Sequence, residues 1–187
     1  MMTCFLYVKS IYIKYIDQLY AYALHLGFNE DVAMDAIHDV FYKLCINSTS
    51  LEDITNVKFY LFRALKNRLI DIQRTNKEYT GILSSNEEIY ENMSFQLNVT
   101  IEDKLIQEED REEIHWKVEN VLNKLTDRQR EIIYLRYVQE YSYEEIAKLM
   151  HISVESCRNL MSKTVNKIRE NVFFFPQLLL IIANLIK

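Results

Sequence analysis

A run of polar side chains recurs at helical spacing near the C-terminus of the 187-residue chain. The run comprises Glu155, Ser156, Arg158, Asn159, Ser162, Lys163, Asn166 and Lys167. Arginine and asparagine can each form two hydrogen bonds with a guanine or adenine edge in the major groove, whereas lysine and serine suit phosphate oxygens. The same side chains could also form the solvated face of an ordinary helix, so the neighbouring elements must decide.

Those neighbouring elements are three helix starts, each with its own cap. The caps are Thr126 with Gln129, Ser142 with Glu145, and Ser153. The first two pairs fit the capping box, in which two side chains satisfy two amide groups at a helix N-terminus. Only His151 and Ile152 remain as a connector between the second and third helices. Two helices joined by so tight a turn predict a helix-turn-helix motif.

Apolar residues, joined by one threonine, follow a helical period in both helices of this motif. They are Ile146, Ala147, Leu149 and Met150 in the first helix, and Val154, Cys157, Leu160, Met161, Thr164, Val165 and Ile168 in the second. We predict that these faces point inward. Because cap, turn and polar face occur in this order, we favour DNA recognition over a merely solvated face.

The N-terminal half begins with two predicted helices. The first spans residues 5–26 and ends at Gly27, and the second follows an Asn29 cap over residues 30–45. The predicted inward positions of the first are Val8, Ile11, Tyr12, Tyr15, Ile16, Leu19, Tyr20, Ala23 and Leu24. The second carries an acidic face that includes Asp35, His38 and Asp39. This face could receive a basic partner, or it could simply be exposed to solvent.

A third predicted helix, residues 57–74, lies in a strongly basic segment. Its cations are Lys58, Arg63, Lys66, Arg68, Arg74 and Lys77, opposed by Asp71. They are interleaved with Phe59, Tyr60, Phe62 and Asn67. Proteins that bind single-stranded nucleic acid use cations for phosphates and rings or amides for exposed bases. Equally, the aromatic rings could belong to the core while the cations keep the helix soluble.

Acidic residues dominate the segment that follows, residues 78–108, which we interpret as a flexible connector that repels DNA. A helical stripe then leads to the last three helices through Ile114, Trp116, Val118, Val121, Leu122 and Leu125. The last segment, residues 172–187, is densely apolar but too short to span a bilayer. It could pack back on the C-terminal domain, or dock an inhibitory protein or a membrane surface.

Composition narrows the class of protein. Two glycines and one proline leave few residues suited to tight turns and hairpins, which favours an all-α fold of two small helical domains. Cys4, Cys45 and Cys157 lie too far apart for a disulfide framework, so we expect a cytoplasmic protein. The scattered histidines and cysteines make no metal-ligand pattern. No phosphate loop or nucleophile–base arrangement indicates an enzyme, a cofactor or a small-molecule substrate.

Four motifs in this order resemble an extracytoplasmic-function (ECF) sigma factor of bacterial RNA polymerase. They are AMDAIHDVF (33–41), FRALKNRLIDIQR (62–74), LTDRQREIIYLRY (125–137) and SYEEIAKLMHISVESCRNLMSK (142–163). The resemblance implies sigma region 2 at residues 5–77, an acidic linker at 78–108, and sigma region 4 at 109–171. The last of these would be a winged-helix-like four-helix domain carrying the helix-turn-helix. The apolar tail, 172–187, has no place in this pattern.

The resemblance also implies a role for each group of polar residues. Residues reading the −35 element would be Ser156, Arg158, Asn159, Ser162 and Lys163. Residues melting and holding the −10 element would be Arg63, Lys66, Asn67, Arg68 and Arg74, with Asn67 contacting a flipped base. Residues docking on core polymerase would be Asp35, His38 and Asp39. The implied partners are core RNA polymerase, promoter DNA and an anti-sigma factor, either soluble or bound to a membrane.

Two other functions fit parts of the same sequence. One is a helix-turn-helix regulator that binds duplex DNA by itself and has an N-terminal sensor or dimerisation domain. The basic segment from Lys58 to Lys77 argues against it, because a sensor domain does not need such a surface. The other is a protein that binds polymerase but no longer reads promoters, which transcription in vitro would reveal.

Overall fold

Helices form every regular element of the part of the chain that the structure describes. This computed structural model describes residues 2–46, 54–79, 86–91, 93–97, 116 and 118–171, and no strand occurs among them. The chain divides into two compact units, with the boundary between Ser94 and Phe95. The predicted all-α fold with two helical domains is therefore confirmed.

The first unit is built from four described helices. They are α1 (Met2–His25), α2 (Glu30–Ile46), α3 (Val57–Tyr79) and α4 (Asn86–Glu91). Helix α1 packs on α2 and α3, α2 also packs on α3, and α4 packs on α3. Gly27 closes α1 in the left-handed region with a φ of +83°. The Val32 amide donates to Oδ1 of Asn29 at 2.9 Å, so the predicted cap of α2 is confirmed.

Helix α1 follows its predicted helical stripe with one exception, and Tyr22 and Leu26 are buried in addition to the predicted positions. Leu19, Tyr22, Ala23 and Leu26 are all buried, whereas Leu24 remains 36% exposed. The buried residues are spaced three, four and seven positions from Leu19, which places them on one side of the helix. Leu24 lies five positions from Leu19 and therefore points away. Its predicted inward position was wrong.

The predicted connector contains helical structure. Helix α3 continues to Tyr79 rather than ending at Arg74, and α4 occupies part of the segment that we interpreted as a flexible linker. Ile89 of α4 is fully buried. Residues 80–85, 92 and 98–108 of the predicted linker and the whole apolar tail, 172–187, lie outside the described residues.

The second unit contains α5 (residues 118–123), α6 (Asp127–Ile133), α7 (Tyr143–Met150) and α8 (Val154–Asn171). Val118, Val121, Leu122 and Leu125 are buried as predicted. Trp116 is 64% exposed, so its predicted place in the same stripe was wrong. Two residues turn a helix by roughly 200°, which puts Trp116 on the side opposite Val118. Ile114 lies outside the described residues.

Both predicted capping boxes are present. The Gln129 amide donates to Oγ1 of Thr126 at 3.3 Å, and the Thr126 amide donates back to Oε1 of Gln129 at 3.1 Å. The Ser142–Glu145 pair repeats this arrangement at 3.2 and 2.9 Å. Each box satisfies two amide groups that have no partner within their helix, and so fixes where α6 and α7 begin.

The turn between α7 and α8 is as short as the sequence predicts. His151 ends α7 in the left-handed conformation, with φ 53° and ψ 46°. The Ile152 amide donates to the Ala147 carbonyl at 3.0 Å, and the Ser156 amide donates to Oγ of Ser153 at 3.0 Å. These bonds end one helix and start the next within three residues, which completes the helix-turn-helix.

A π-helical segment, Tyr134–Val138, continues α6 and was not predicted. The Gln139 amide donates to the Tyr134 carbonyl at 3.1 Å, which closes the wider turn. The Gln139 side chain also donates to the Tyr134 hydroxyl at 2.8 Å. Burial raises the pKa of Tyr134 well above its ordinary value, although the hydrogen bond from Gln139 opposes this shift. The phenol therefore stays neutral inside the domain.

Candidate nucleic-acid interface

Helix α8 presents its predicted polar face to solvent. Ser156, Arg158, Asn159, Ser162 and Lys163 are all exposed. On the opposite side Cys157, Met161, Thr164 and Ile168 are buried. The Thr164 hydroxyl donates to the Leu160 carbonyl at 2.7 Å, so this polar residue is satisfied within its own helix. The predicted division of α8 into an inward and an outward face is confirmed.

Arg158 rests against the beginning of α7. Its guanidinium lies 3.5 Å from Oε1 of Glu144 and 5.9 Å from the centre of the Tyr143 ring. The Arg136 guanidinium also lies over that ring, 5.1 Å from its centre, and it donates to the Tyr141 carbonyl at 2.8 Å. The Arg158 side chain is still 62% exposed. An aromatic ring and a carboxylate thus hold the guanidinium while its outer edge remains accessible.

Ser156 lies at the N-terminus of α8. The Ser153 hydroxyl donates to the Ser156 hydroxyl at 2.9 Å. Amide groups at the start of a helix carry a partial positive charge and attract phosphate. Ser156 is therefore placed where a DNA backbone could meet the end of α8, while Arg158 and Asn159 lie further along the same face.

Cys157 lies beneath this face and has no direct role in it. Burial raises the pKa of its thiol, Glu144 raises it further, and the nearby Arg158 and Arg136 oppose the shift. A buried neutral thiol is a poor nucleophile and packs like a small apolar residue. Cys157 thus supports α8 from inside.

Helix α3 carries the residues predicted to hold the −10 element, and their environments differ. Arg63 is exposed, whereas Asn67, Arg68 and Arg74 are partly exposed. Arg74 lies 3.3 Å from Asp71, one turn away on α3. Arg68 lies 2.6 Å from Asp39 of α2, and its Nε donates to the same carboxylate at 2.7 Å.

Lys66 departs from its predicted place in this group. It is only 2% exposed, so the structure does not put it on the accessible face of α3. Phe62, Leu65 and Leu69 are buried on the same helix. Lys66 lies four residues after Phe62 and three before Leu69, so it shares their side of the helix. The spacing of the apolar residues already contained this signal. Lys66 is thus part of the buried stripe of α3.

Tyr90, on α4, is a neighbour of this face that the sequence did not reveal. Its hydroxyl donates to Oδ1 of Asn67 at 3.2 Å. Burial raises the pKa of Tyr90, Asp71 raises it further, and Arg63 lowers it. The phenol therefore lies within the electrostatic reach of three successive turns of α3.

The three residues of α2 predicted to dock polymerase differ in their exposure to solvent. Asp35 and His38 are exposed, while Asp39 is partly buried against Arg68. His38 lies parallel to Tyr12 of α1, with ring centres 6.4 Å apart and Nε2 3.4 Å from the tyrosine hydroxyl. A partner meeting this face would contact Asp35 and His38 directly and would reach Asp39 at the edge of α3.

Metal-binding clusters and membrane-spanning helices are both absent from the described residues. Among them, no three His, Cys, Asp or Glu side chains come together in a way that could hold a metal ion. None of the helices in the described ranges is both long enough and apolar enough to cross a membrane.

Comparisons with known proteins identify relatives of this chain. Residues 115–168 match the family described as Sigma-70, region 4, and this range includes α7, the turn and all but the last three residues of α8. Two relatives come from Bacillus subtilis (strain 168). The ECF RNA polymerase sigma factor SigM is 23% identical over 171 residues, which cover 87% of this chain and 93% of SigM. The RNA polymerase sigma factor YlaC is 21% identical over 170 residues, covering 88% and 91%.

A solved structure shares the fold. It contains the sigma factor RpoE in complex with the anti-sigma factor NepR from Bartonella quintana. The match has a TM-score of 0.57 and 21% identity, and it covers 87% of this chain and 94% of the other. The region 4 match lies at the helix-turn-helix, and both Bacillus relatives align over nearly their full length. Residues 115–168 therefore form a Sigma-70 region 4 domain, and over most of its length the chain is similar to ECF sigma factors.

Proposed function

We propose that this protein binds core RNA polymerase and directs it to promoters by reading the −35 element and holding the opened −10 element. The observation that carries the proposal is the exposed polar face of α8 within a helix-turn-helix that matches sigma region 4. Ser156, Arg158, Asn159, Ser162 and Lys163 are the residues of that face that would contact the −35 element. Arg158 and Asn159 have the side chains best suited to base edges.

The exposed part of α3 supplies the second DNA contact. Arg63, Asn67, Arg68 and Arg74 combine positive charge with one amide that can pair with an unstacked base. Such residues favour the opened promoter only if they bind the unpaired strand better than the duplex. The function is therefore one of binding and population shift, and no bond is made or broken by the chain.

The two units would act together because polymerase links them. Contact with one promoter element raises the effective concentration of the second contact, so two modest affinities can combine. We assign polymerase docking to Asp35 and His38 of α2, with Asp39 at the edge of that surface. Since bacterial transcription takes place in the cytoplasm, we place the protein there.

An anti-sigma factor is a proposed partner by analogy with the solved relative, which is bound to one. Acidic Asp35 and the neighbouring His38 would be hidden if such a protein covered α2. Competition between an anti-sigma factor and polymerase for one surface would then keep the chain inactive.

Run-off transcription with purified core polymerase on a genomic fragment library tests the proposed function. We expect the chain to shift transcript starts to a small set of promoters sharing −35 and −10 elements. A protein that leaves start sites unchanged would contradict the proposal. Retardation of duplex DNA without polymerase, with no effect on transcription, would instead indicate a standalone regulator.

A further inference from the structure

Helix α4 brings an aromatic residue from the predicted linker onto the DNA-holding face of α3. Ile89 is fully buried and α4 packs on α3, so the position of α4 against α3 is fixed. Tyr90 follows Ile89 directly and is only partly buried. Burial of Ile89 thus fixes the position of a tyrosine that retains an accessible surface.

The tyrosine lies over the middle of one stripe of α3. Arg63, Asn67 and Asp71 are four residues apart and share one side of the helix. The Tyr90 hydroxyl donates to Oδ1 of the central residue, Asn67, at 3.2 Å. The pKa of Tyr90 is raised mainly by burial, and also responds to Asp71 above and Arg63 below Asn67. The hydrogen bond and the direction of the pKa shift therefore both place the Tyr90 phenol next to Asn67.

This hydrogen bond restricts what Asn67 can offer a base. A side-chain amide has one oxygen that accepts and one NH₂ group that donates. Pairing with adenine uses both, because asparagine accepts from the adenine amino group and donates to a ring nitrogen. Tyr90 uses one lone pair of the Asn67 oxygen and so fixes the direction in which the amide faces. A single bond from the NH₂ group to a carbonyl oxygen of guanine, cytosine or thymine needs nothing more from Asn67, whereas the two-bond pairing with adenine also needs the oxygen that Tyr90 shares.

We propose that Tyr90 is a positioning residue for base recognition, fixing the amide of Asn67 so that two-bond pairing with adenine is penalised relative to a single bond to a carbonyl oxygen. The proposal rests on the proposed function, since it requires Asn67 to meet an unpaired base. The ring of Tyr90 lies beside the amide and adds a surface on which that base can stack. A linker residue thus becomes part of the −10 site.

The test uses the full chain assembled with core polymerase. The probe is a fork template whose unpaired −10 strand carries each of the four bases in turn at each position. Fluorescence anisotropy gives the affinity for every template, and hence the preference of each position for a carbonyl-bearing base over adenine. The variants are Tyr90→Phe, which removes only the hydroxyl, and Asn67→Ala. Tyr79→Phe is the matched control, because Tyr79 ends α3 and is 88% exposed.

At one position we expect Tyr90→Phe to raise the binding of adenine relative to the carbonyl-bearing bases by about fivefold, the usual effect of one hydrogen bond. Tyr79→Phe should leave that ratio unchanged. Equal preferences in Tyr90→Phe and wild type would overturn the inference. Tighter binding of Tyr90→Phe to all four bases would also overturn it, because the tyrosine would then only hinder the access of every base to Asn67.

Asn67→Ala separates this inference from the proposed function. If Asn67→Ala loses the preference while Tyr90→Phe keeps it, the proposed function stands and only the positioning role of Tyr90 fails. If Asn67→Ala keeps every wild-type preference, Asn67 does not read a base and the proposed role of α3 fails with it. A thermal melt of each variant checks that the fold is retained.

Discussion

The carboxylate of Asp39 lies 2.6 Å from the guanidinium of Arg68, joining α2 to α3. One residue belongs to the face assigned to polymerase and the other to the face assigned to the −10 strand. This ion pair adds a polar link to the apolar packing of α2 on α3. The pair is partly exposed, with 44% of the Asp39 side chain and 38% of the Arg68 side chain accessible, so solvent screening limits its strength.

We expect Asp39→Asn and Arg68→Gln to be non-additive in the free energy of unfolding. The coupling should be about 0.5–1 kcal/mol, the usual range for a partly exposed pair. Urea denaturation of the two single variants and the double variant measures it. Asp35→Asn serves as the control, because Asp35 is exposed on the same helix. Strict additivity would show that the ion pair does not couple the two helices.

Arg158→Ala should weaken binding to one −35 sequence by about 1–3 kcal/mol and relax the choice of base at a single position. The reason is that a guanidinium reading a base edge discriminates, whereas one touching phosphate does not. Binding of holoenzyme to a set of −35 variants gives both quantities. An equal loss on every sequence would mean that Arg158 contacts only the backbone.

Glu144→Gln should reduce discrimination at the position read by Arg158. The carboxylate lies 3.5 Å from that guanidinium and helps to hold it, and it also repels phosphate. We expect binding to mismatched sites to tighten by about 0.2–1 kcal/mol, the range of an exposed pair. Glu155→Gln removes an equal charge from the first turn of α8 and is the matched control. Identical behaviour of the two variants would leave Glu144 with only a general charge effect.

Asn67→Ala should reduce transcription from closed duplex more than transcription from a pre-melted template. A residue that captures an unpaired base contributes to opening, and pre-melting supplies that step in advance. Parallel run-off reactions on the two templates give the ratio. An equal decrease on both templates would exclude a role confined to melting.

Ser142→Ala should destabilise the second unit by about 1 kcal/mol, because the amide of Glu145 loses its capping partner. Ser162→Ala changes an exposed serine within α8 and provides the control. Thermal unfolding followed by circular dichroism compares the two. If both substitutions shift the midpoint equally, the capping box has no special role in fixing α7.

The helix-turn-helix could be predicted because every part of it is local. Each cap joins residues three positions apart, and the inward and outward faces of α8 follow from a single helical period. The buried residues of α2 follow the same helical period; they are Ala33, Ala36, Ile37, Val40, Phe41 and Leu44. Where neighbouring residues alone decide the structure, the sequence is sufficient.

Other features depended on contacts between distant segments or on a competing pattern. Tyr90 meets Asn67 across 23 residues, and no local rule relates them. The π-helical segment buries Tyr134, Leu135 and Val138 at spacings that an α-helix would also give, so its wider turn leaves no mark in the hydrophobic pattern. Lys66 differs for another reason. Its positive charge predicts an exposed side chain, whereas its position between Phe62 and Leu69 places it in the buried stripe of α3.

The left-handed backbone at His151 has a consequence for the way DNA is approached. A residue with a β-carbon ordinarily pays roughly 1–2 kcal/mol for this conformation, and a β-branched one would be strained further. Substitution by valine would therefore strain the corner that joins α7 to α8. If α8 enters the major groove as proposed, its tilt there would depend on a residue that need not touch a single nucleotide.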